Sequence, residues 1–349
     1  MKNNFDINNL VRENVKRLKP YSSARDEFED FDIADMIFLD ANENPFDNGV
    51  NRYPDPQQVS LKVVLAKQKN VQSNQILLGN GSDEVLDLLF RAFCEPKIDN
   101  VITLPPTYGM YGVLANINDV ENKEVLLTED FQPQIEEILS YVNDNTKIIF
   151  LCSPNNPTGN SFSDISVLTL LQNFNGVVVI DEAYIDFSKK ESWINELETY
   201  PNLVITQTLS KAYGLAGIRL GICYASAAII AVLNKIKPPY NVNELTQKRA
   251  LERLNEKEKI RLEIESILKQ REFLFKVLDN VEFVEKIYPT EANFILIKVD
   301  DANKRYGELI AKGIVIRNRT TQPLCYNCLR LTIGTEKENK KLIEALKEI

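Results

Sequence analysis

Histidine is missing altogether from the 349 residues, and no other feature of the composition excludes as much chemistry. Without it there is no Ser-His-Asp or Cys-His catalysis, no histidine-ligated metal and no histidine general base. Proton transfer falls to lysine, tyrosine, carboxylates or the substrate. Long apolar runs are also missing: none approaches the roughly 18 residues that suggest a membrane span. The polar first nine residues do not read as a cleavable signal, so a cytoplasmic location is expected. Positive charge is in deficit, with a formal net charge of −9. That argues against a nucleic-acid footprint or an anionic membrane surface, and any phosphate site has to be built locally. Cysteine is sparse and odd in number, at Cys94, Cys152, Cys223, Cys325 and Cys328. Such scattered residues fit free thiols better than a disulfide framework. Cys325 and Cys328 would need two more soft ligands to hold zinc, so no metal is expected. No internal repeat, low-complexity tract or Gly/Ser linker interrupts the chain.

What is present is enough apolar sequence, 44% hydrophobic against 26% charged, for a large core and more than one domain. From about Met36 to Cys223 strand-like runs alternate with helical ones: Gln75 to Leu78, Val101 to Leu104, Glu124 to Leu127, Ile148 to Leu151, Val177 to Ile180, Val204 to Thr206 and Leu220 to Cys223. The alternation predicts an α/β layer with a mostly parallel sheet, whose ligands belong at the carboxyl ends of the strands. After Pro238-Pro239, Asn243 to Asn280 reads as helix. The tail reads as strands around Asn293 to Lys298, Gly313 to Arg317 and Cys328 to Ile333, with a last helix from Glu336. We expect a large domain over residues 30–245 and a small α+β domain from 1–29 plus 246–349.

Four segments carry chemistry. Lys211 lies just past the strand-like Leu203-Val204-Ile205, in Thr208-Leu209-Ser210-Lys211-Ala212-Tyr213-Gly214. Partial desolvation at the lip of a sheet lowers an ammonium pKa and frees the amine for attack on carbonyls. Arg219, eight residues on, suits a phosphate or carboxylate. Asp181 ends the β-branched run Val177-Val178-Val179-Ile180 and needs a partner once the sheet is covered. Cys152-Ser153-Pro154-Asn155-Asn156-Pro157-Thr158-Gly159 is a rigid turn after a strand. Gly79-Asn80-Gly81-Ser82-Asp83-Glu84 precedes a helix from Val85 to Phe93. Ser82 or Asp83 is expected to cap that helix, and its first amides could receive a phosphate.

In this order the segments resemble the aspartate-aminotransferase superfamily of pyridoxal-phosphate enzymes, fold type I, and within it the histidinol-phosphate aminotransferase family. The similarity extends through Asn42-Glu43-Asn44-Pro45, Asn51-Arg52-Tyr53-Pro54-Asp55, Pro105-Pro106-Thr107-Tyr108-Gly109-Met110-Tyr111 and Cys328-Leu329-Arg330-Leu331-Thr332. The resemblance implies that Lys211 carries pyridoxal 5'-phosphate covalently and moves the substrate proton. It implies that Asp181 pairs with the ring nitrogen, that Asn156 and Tyr184 meet the ring hydroxylate, and that Tyr108 stacks on the ring. Gly81, Ser82, Asp83, Ser210 and Arg219 would surround the cofactor phosphate, with Tyr53 reaching in from the second subunit of a homodimer. Tyr21, Arg317 and Arg330 would bind the substrate anion, histidinol phosphate in one half-reaction and glutamate or 2-oxoglutarate in the other. A chain without histidine also agrees with a role in making histidine. An aromatic aminotransferase, a threonine-phosphate decarboxylase and a non-catalytic cofactor-sensing regulator remain as alternatives.

Overall fold

The computed structural model describes residues 5–20 and 37–349. Seven strands form the larger sheet: β1 (Ile76–Asn80), β2 (Asn100–Thr103), β3 (Glu121–Glu124), β4 (Thr146–Cys152), β5 (Val177–Asp181), β6 (Leu203–Thr208) and β7 (Leu220–Ala225). Four form the smaller: β8 (Val284–Ile287), β9 (Phe294–Val299), β10 (Arg317–Asn318) and β11 (Cys328–Thr332). The helices are α1 (Ile7–Leu10), α2 (Glu13–Arg17), α3 (Val59–Lys69), α4 (Ser82–Phe93), α5 (Met110–Ile117), α6 (Ile135–Tyr141), α7 (Asp164–Asn173), α8 (Ala227–Ile236), α9 (Glu244–Asn255), α10 (Lys257–Leu278), α11 (Ala302–Ala311) and α12 (Glu336–Lys347).

The larger sheet runs β1-β7-β6-β5-β4-β2-β3, with β7 antiparallel to both neighbours and every other pair from β6 to β3 parallel. The mostly parallel α/β layer read from the sequence is therefore present. Its central strands are apolar on both faces, as helices on both sides demand. Ile148, Phe150, Val177 and Val179 join the core beneath α4 and α8, while Ile149, Leu151, Val178 and Ile180 join the opposite core. Burying each such side chain contributes about 1.5–3 kcal/mol relative to exposure, enough to force Asp181 to the end of β5 in a fixed place. The smaller sheet, β10-β11-β9-β8, is antiparallel throughout and has its own core around Ile295, Ile297, Leu329 and Leu331.

Several expectations differ in detail. The strand expected over Glu124 to Leu127 lies earlier, because Glu121–Glu124 pairs with β2 while Val125 and Leu127 fill the core from a loop. The long helix after Pro239 is two, broken at Glu256, whose carboxylate accepts from Arg253 Nη1 at 2.8 Å. α9 still belongs to the large-sheet core through Ala250 and Leu254, whereas Leu274 and Leu278 of α10 enter the small-sheet core. Residues 5–20 do not return to the small sheet as expected for residues 1–29. Val11 and Val15 pack into the core beneath α4 and α8, and Arg12 bonds the Arg91 carbonyl and ion-pairs Glu95 at 3.0 Å.

Two contacts tie loops to the frame. The Glu291 carboxylate, just ahead of β9, accepts from Ser161 Oγ and Ser188 Oγ, both at 2.5 Å, and its amide donates to the Gly159 carbonyl at 2.7 Å. Trp193, the sole tryptophan, packs half-buried against the large-sheet core, and its amide donates to buried Glu182 at 2.7 Å.

Candidate active site

A cavity of about 540 Å³ opens at the carboxyl ends of β4, β5 and β6, where a parallel sheet presents its ligand-binding edge. It is lined by Ser82, Asp83, Tyr108, Asn156, Asp181, Tyr184, Ser210, Lys211, Arg219, Arg317 and Arg330. Tyr21 lies outside the described residues, and Tyr53 is elsewhere, stacked on Tyr240 at 4.6 Å beside a second hollow of about 420 Å³. Gly81 is the turn residue beneath Ser82 rather than part of the wall.

Asp181 closes the floor. Only 3% of its surface is exposed, and Oδ2 accepts from the Tyr111 hydroxyl at 2.8 Å while Oδ1 accepts from the Ala183 amide at 3.2 Å. Burial raises its pKa, the Tyr111 and Ala183 bonds oppose the rise, and no cation among the described residues forms an ion pair with it. A buried carboxylate with donors but no counter-ion is costly until a cation arrives. Tyr111, fully buried on α5, had no role assigned from the sequence. Tyr108 precedes α5, so no helical periodicity ties the two tyrosines together, and the sequence carries no signal for this role.

Lys211 follows β6 in a turn, with Nζ 5.6 Å from the Tyr184 ring centre. Solvent reaches the side chain through the cavity mouth, yet the walls desolvate the amine enough to lower its pKa. The Arg330 and Arg219 cations add to that, and Asp181 and Asp83 oppose it. A lowered amine pKa raises the fraction of nucleophilic free base near neutral pH.

The start of α4 forms another wall. Neither Ser82 nor Asp83 caps it as expected: the cap is Gly81, at φ +82°, with no side-chain bond to the first amides. The reason is steric. A Cβ on Gly81 would lie 2.6 Å from Arg219 Nη2, and one on Gly221 would lie 2.3 Å from the Gly81 carbonyl carbon and the Ser82 nitrogen. Backbone therefore packs on backbone, leaving uncapped amides beside Ser210 and Arg219, an arrangement suited to an anion. Asp83 instead accepts from the Tyr108 hydroxyl at 3.0 Å and lies 3.6 Å from Arg219.

The far wall comes from the small sheet. Arg317 of β10 sits directly opposite Arg330 of β11, a like-charge pair that is destabilising without an anion. Arg330 Nη1 donates to Asn156 Oδ1, which leaves the amide nitrogen of Asn156 to face a ligand. Burial, then Arg319, holds the Arg330 pKa down at about 10 against the pull of Tyr184, and Arg330 Nε is buried without an acceptor. Thr208, Arg319 and Gln322 also line the cavity and were not among the expected site residues.

The family described as aminotransferase class I and II matches residues 34–346. A histidinol-phosphate aminotransferase of Flavobacterium johnsoniae is 78% identical over 345 residues, covering 99% of each chain. One of Flavobacterium psychrophilum is 68% identical over 347 residues, covering 99% of this chain and all of the relative. Among solved structures, the histidinol-phosphate aminotransferase of Clostridium acetobutylicum aligns with a TM-score of 0.79 at 25% identity, covering 86% of this chain and 90% of that one. The family match takes in both sheets and the whole cavity wall from Ser82 to Arg330, and the chain belongs to the aminotransferase class I and II family.

Proposed function

We propose that the chain is a pyridoxal 5'-phosphate-dependent transaminase that moves the amino group of L-histidinol phosphate to 2-oxoglutarate, giving imidazole acetol phosphate and L-glutamate, in histidine biosynthesis. The observation that carries the reading is one cavity holding a desolvated lysine, a buried uncompensated carboxylate and opposed arginines. The relatives named above support the choice of substrate.

The residues fit the cofactor: among the described residues no cation forms an ion pair with Asp181 and no side chain caps the α4 amides, and Gly81 and Gly221 leave no side chain between that turn and β7. When bound, the group supplies a carbonyl carbon for the amine and a protonated ring that takes up the electron pair left on the substrate carbon. Lys211 Nζ would hold the cofactor covalently and would carry a proton from and to the substrate carbon. Asp181, oriented by Tyr111, keeps the ring nitrogen protonated. Asn156 and Tyr184 would hydrogen-bond the ring hydroxyl, and Tyr108 would cover the ring face. Gly81, Ser82, Asp83 through its amide, Ser210 and Arg219 surround the cofactor phosphate. Arg330, Arg317 and Tyr21 take the substrate anion.

A homodimer with Tyr53 serving the neighbouring site belongs to the same proposal. It is supported by exposed Val50 and Leu245, which line the Tyr53 hollow, and by the exposed apolar side chains of Leu39, Phe46, Val59 and Val63 in the same stretch of sequence. So does a cytoplasmic location; among the described residues no helix is long and apolar enough to cross a membrane. A division into a large and a small domain likewise remains our reading, supported by the two sheets, with residues 5–20 and α9 on the side of the larger sheet rather than in the small domain expected over 1–29 plus 246–349.

The test is turnover. Purified protein loaded with cofactor and given histidinol phosphate and 2-oxoglutarate is expected to release glutamate, and borohydride is expected to fix the cofactor on Lys211. Carbon dioxide release from threonine phosphate, or faster turnover of phenylalanine, would replace the substrate assignment. A label on another lysine would overturn the role of Lys211.

A further inference from the structure

Arg319 is the cavity residue whose charge nothing described so far uses. It follows β10 and extends the ladder, its amide donating to the Cys328 carbonyl at 2.8 Å. Strand alternation puts it on the same face as Arg317, two residues earlier, and Arg317 in turn faces Arg330. Successive turns then fold the chain back: the Gln322 amide bonds the Arg319 carbonyl at 2.9 Å, and the Cys325 amide bonds the Gln322 carbonyl at 3.1 Å. That path returns Gln322 to the same wall.

Among the described residues the Arg319 side chain has neither a hydrogen-bond acceptor nor an ion pair, and its Nε is buried without a partner. Gln322 Oε1 and Arg330 Nε, in the same wall, are also buried and without a partner among the described residues. Burial, followed by the charge on Arg317, depresses the Arg319 pKa, as expected for a cation facing other cations. Two guanidiniums suffice for a carboxylate, which carries one charge and two oxygens. A phosphate monoester carries nearly two charges and three terminal oxygens at neutral pH. A third desolvated guanidinium is therefore worth more to the phosphate than to the carboxylate.

We propose that Arg319 is the third cation of the substrate-anion site and sets its preference for a phosphate dianion over a carboxylate. This rests on the reading that the cavity takes a phosphorylated amine. Arg319→Gln in the holoenzyme is expected to lower the ratio of kcat/KM for histidinol phosphate to that for glutamate by roughly 10- to 100-fold, the value of a charged hydrogen bond. The loss should appear mainly in KM, with Arg319→Lys recovering part of it. Inorganic phosphate, as an inhibitor of the glutamate half-reaction, should weaken by about tenfold or more on the same grounds. A ratio within threefold of wild type, or an equal loss for both substrates, would overturn the proposal. If wild type does not transaminate histidinol phosphate, the proposed function falls separately. Phosphate inhibition then decides alone, with tenfold weakening upholding Arg319 and an unchanged inhibition constant overturning it.

Discussion

Asp181 shows at the scale of one residue how a site can be costly to its own fold. Below the ordinary aspartate pKa of 3.8, Asp181 is protonated in folded and unfolded chains alike, so it costs nothing as a charge. As pH rises past that value the unfolded chain releases its proton first. Stability falls until the raised folded pKa is passed, and the full penalty persists above it. Asp181→Asn is accordingly expected to melt higher than wild type in the cofactor-free protein at neutral pH, with the gap closing toward pH 3. Its kcat should fall by roughly 10²- to 10³-fold, on the order of the 3–5 kcal/mol lost when a buried charge loses its partner. A wild-type apoprotein that melts above the variant at neutral pH would mean that the bonds from Tyr111 and Ala183 outweigh burial. Lys211, Asp181 and Asn156 could be picked out in the sequence because each ends or follows an apolar strand. Tyr111 and Arg319 could not. Tyr111 matters only because the fold lays α5 against the end of β5, and the face of Arg319 is set by a pairing with β11 that a two-residue strand hardly signals.

Among the elements, the contact of the β1–α4 turn with β7 and the pairing of β10 with β11 matter most to the site. The Gly79-Asn80-Gly81 turn was legible as a turn before a helix, but its cap was not, since the absence of a side-chain cap follows from a distant glycine. A methyl at Gly221 would have to displace the Gly81–Ser82 backbone, and overpacking of this kind costs about 1–3 kcal/mol. Gly221→Ala should therefore weaken cofactor binding by roughly tenfold or more. Gly217→Ala, whose added methyl meets nothing within 4 Å, is the control. Equal affinity in the two variants, by titration of the apoprotein, would separate the turn from cofactor binding. On β10–β11, Arg317→Gln should reduce kcat/KM for histidinol phosphate by about 10- to 100-fold and that for glutamate much less. Arg330→Gln should impair both, because it also frees Asn156. Matching losses from the two variants would show that the opposed arginines act as a single unit.

At the scale of the molecule, the proposed homodimer predicts complementation. If Tyr53 serves the neighbouring subunit, mixing the inactive Lys211→Ala chain with a Tyr53→Ala chain should yield hybrids with one intact site, and activity above the sum of the separate variants. Activity that only adds would place Tyr53 outside catalysis across the interface. Within one chain, Glu291 gathers both serine hydroxyls from the large-sheet loops immediately before β9, so the two sheets are joined close to the cavity. Trp193 stands on one side of that junction only: it packs on the large-sheet core, and the four-stranded sheet has no indole of its own. Its emission is thus an optical reporter of one half of the molecule. Laid against far-ultraviolet circular dichroism, which averages over all helices and strands, it turns a denaturant titration into a measurement of whether the two halves come apart together.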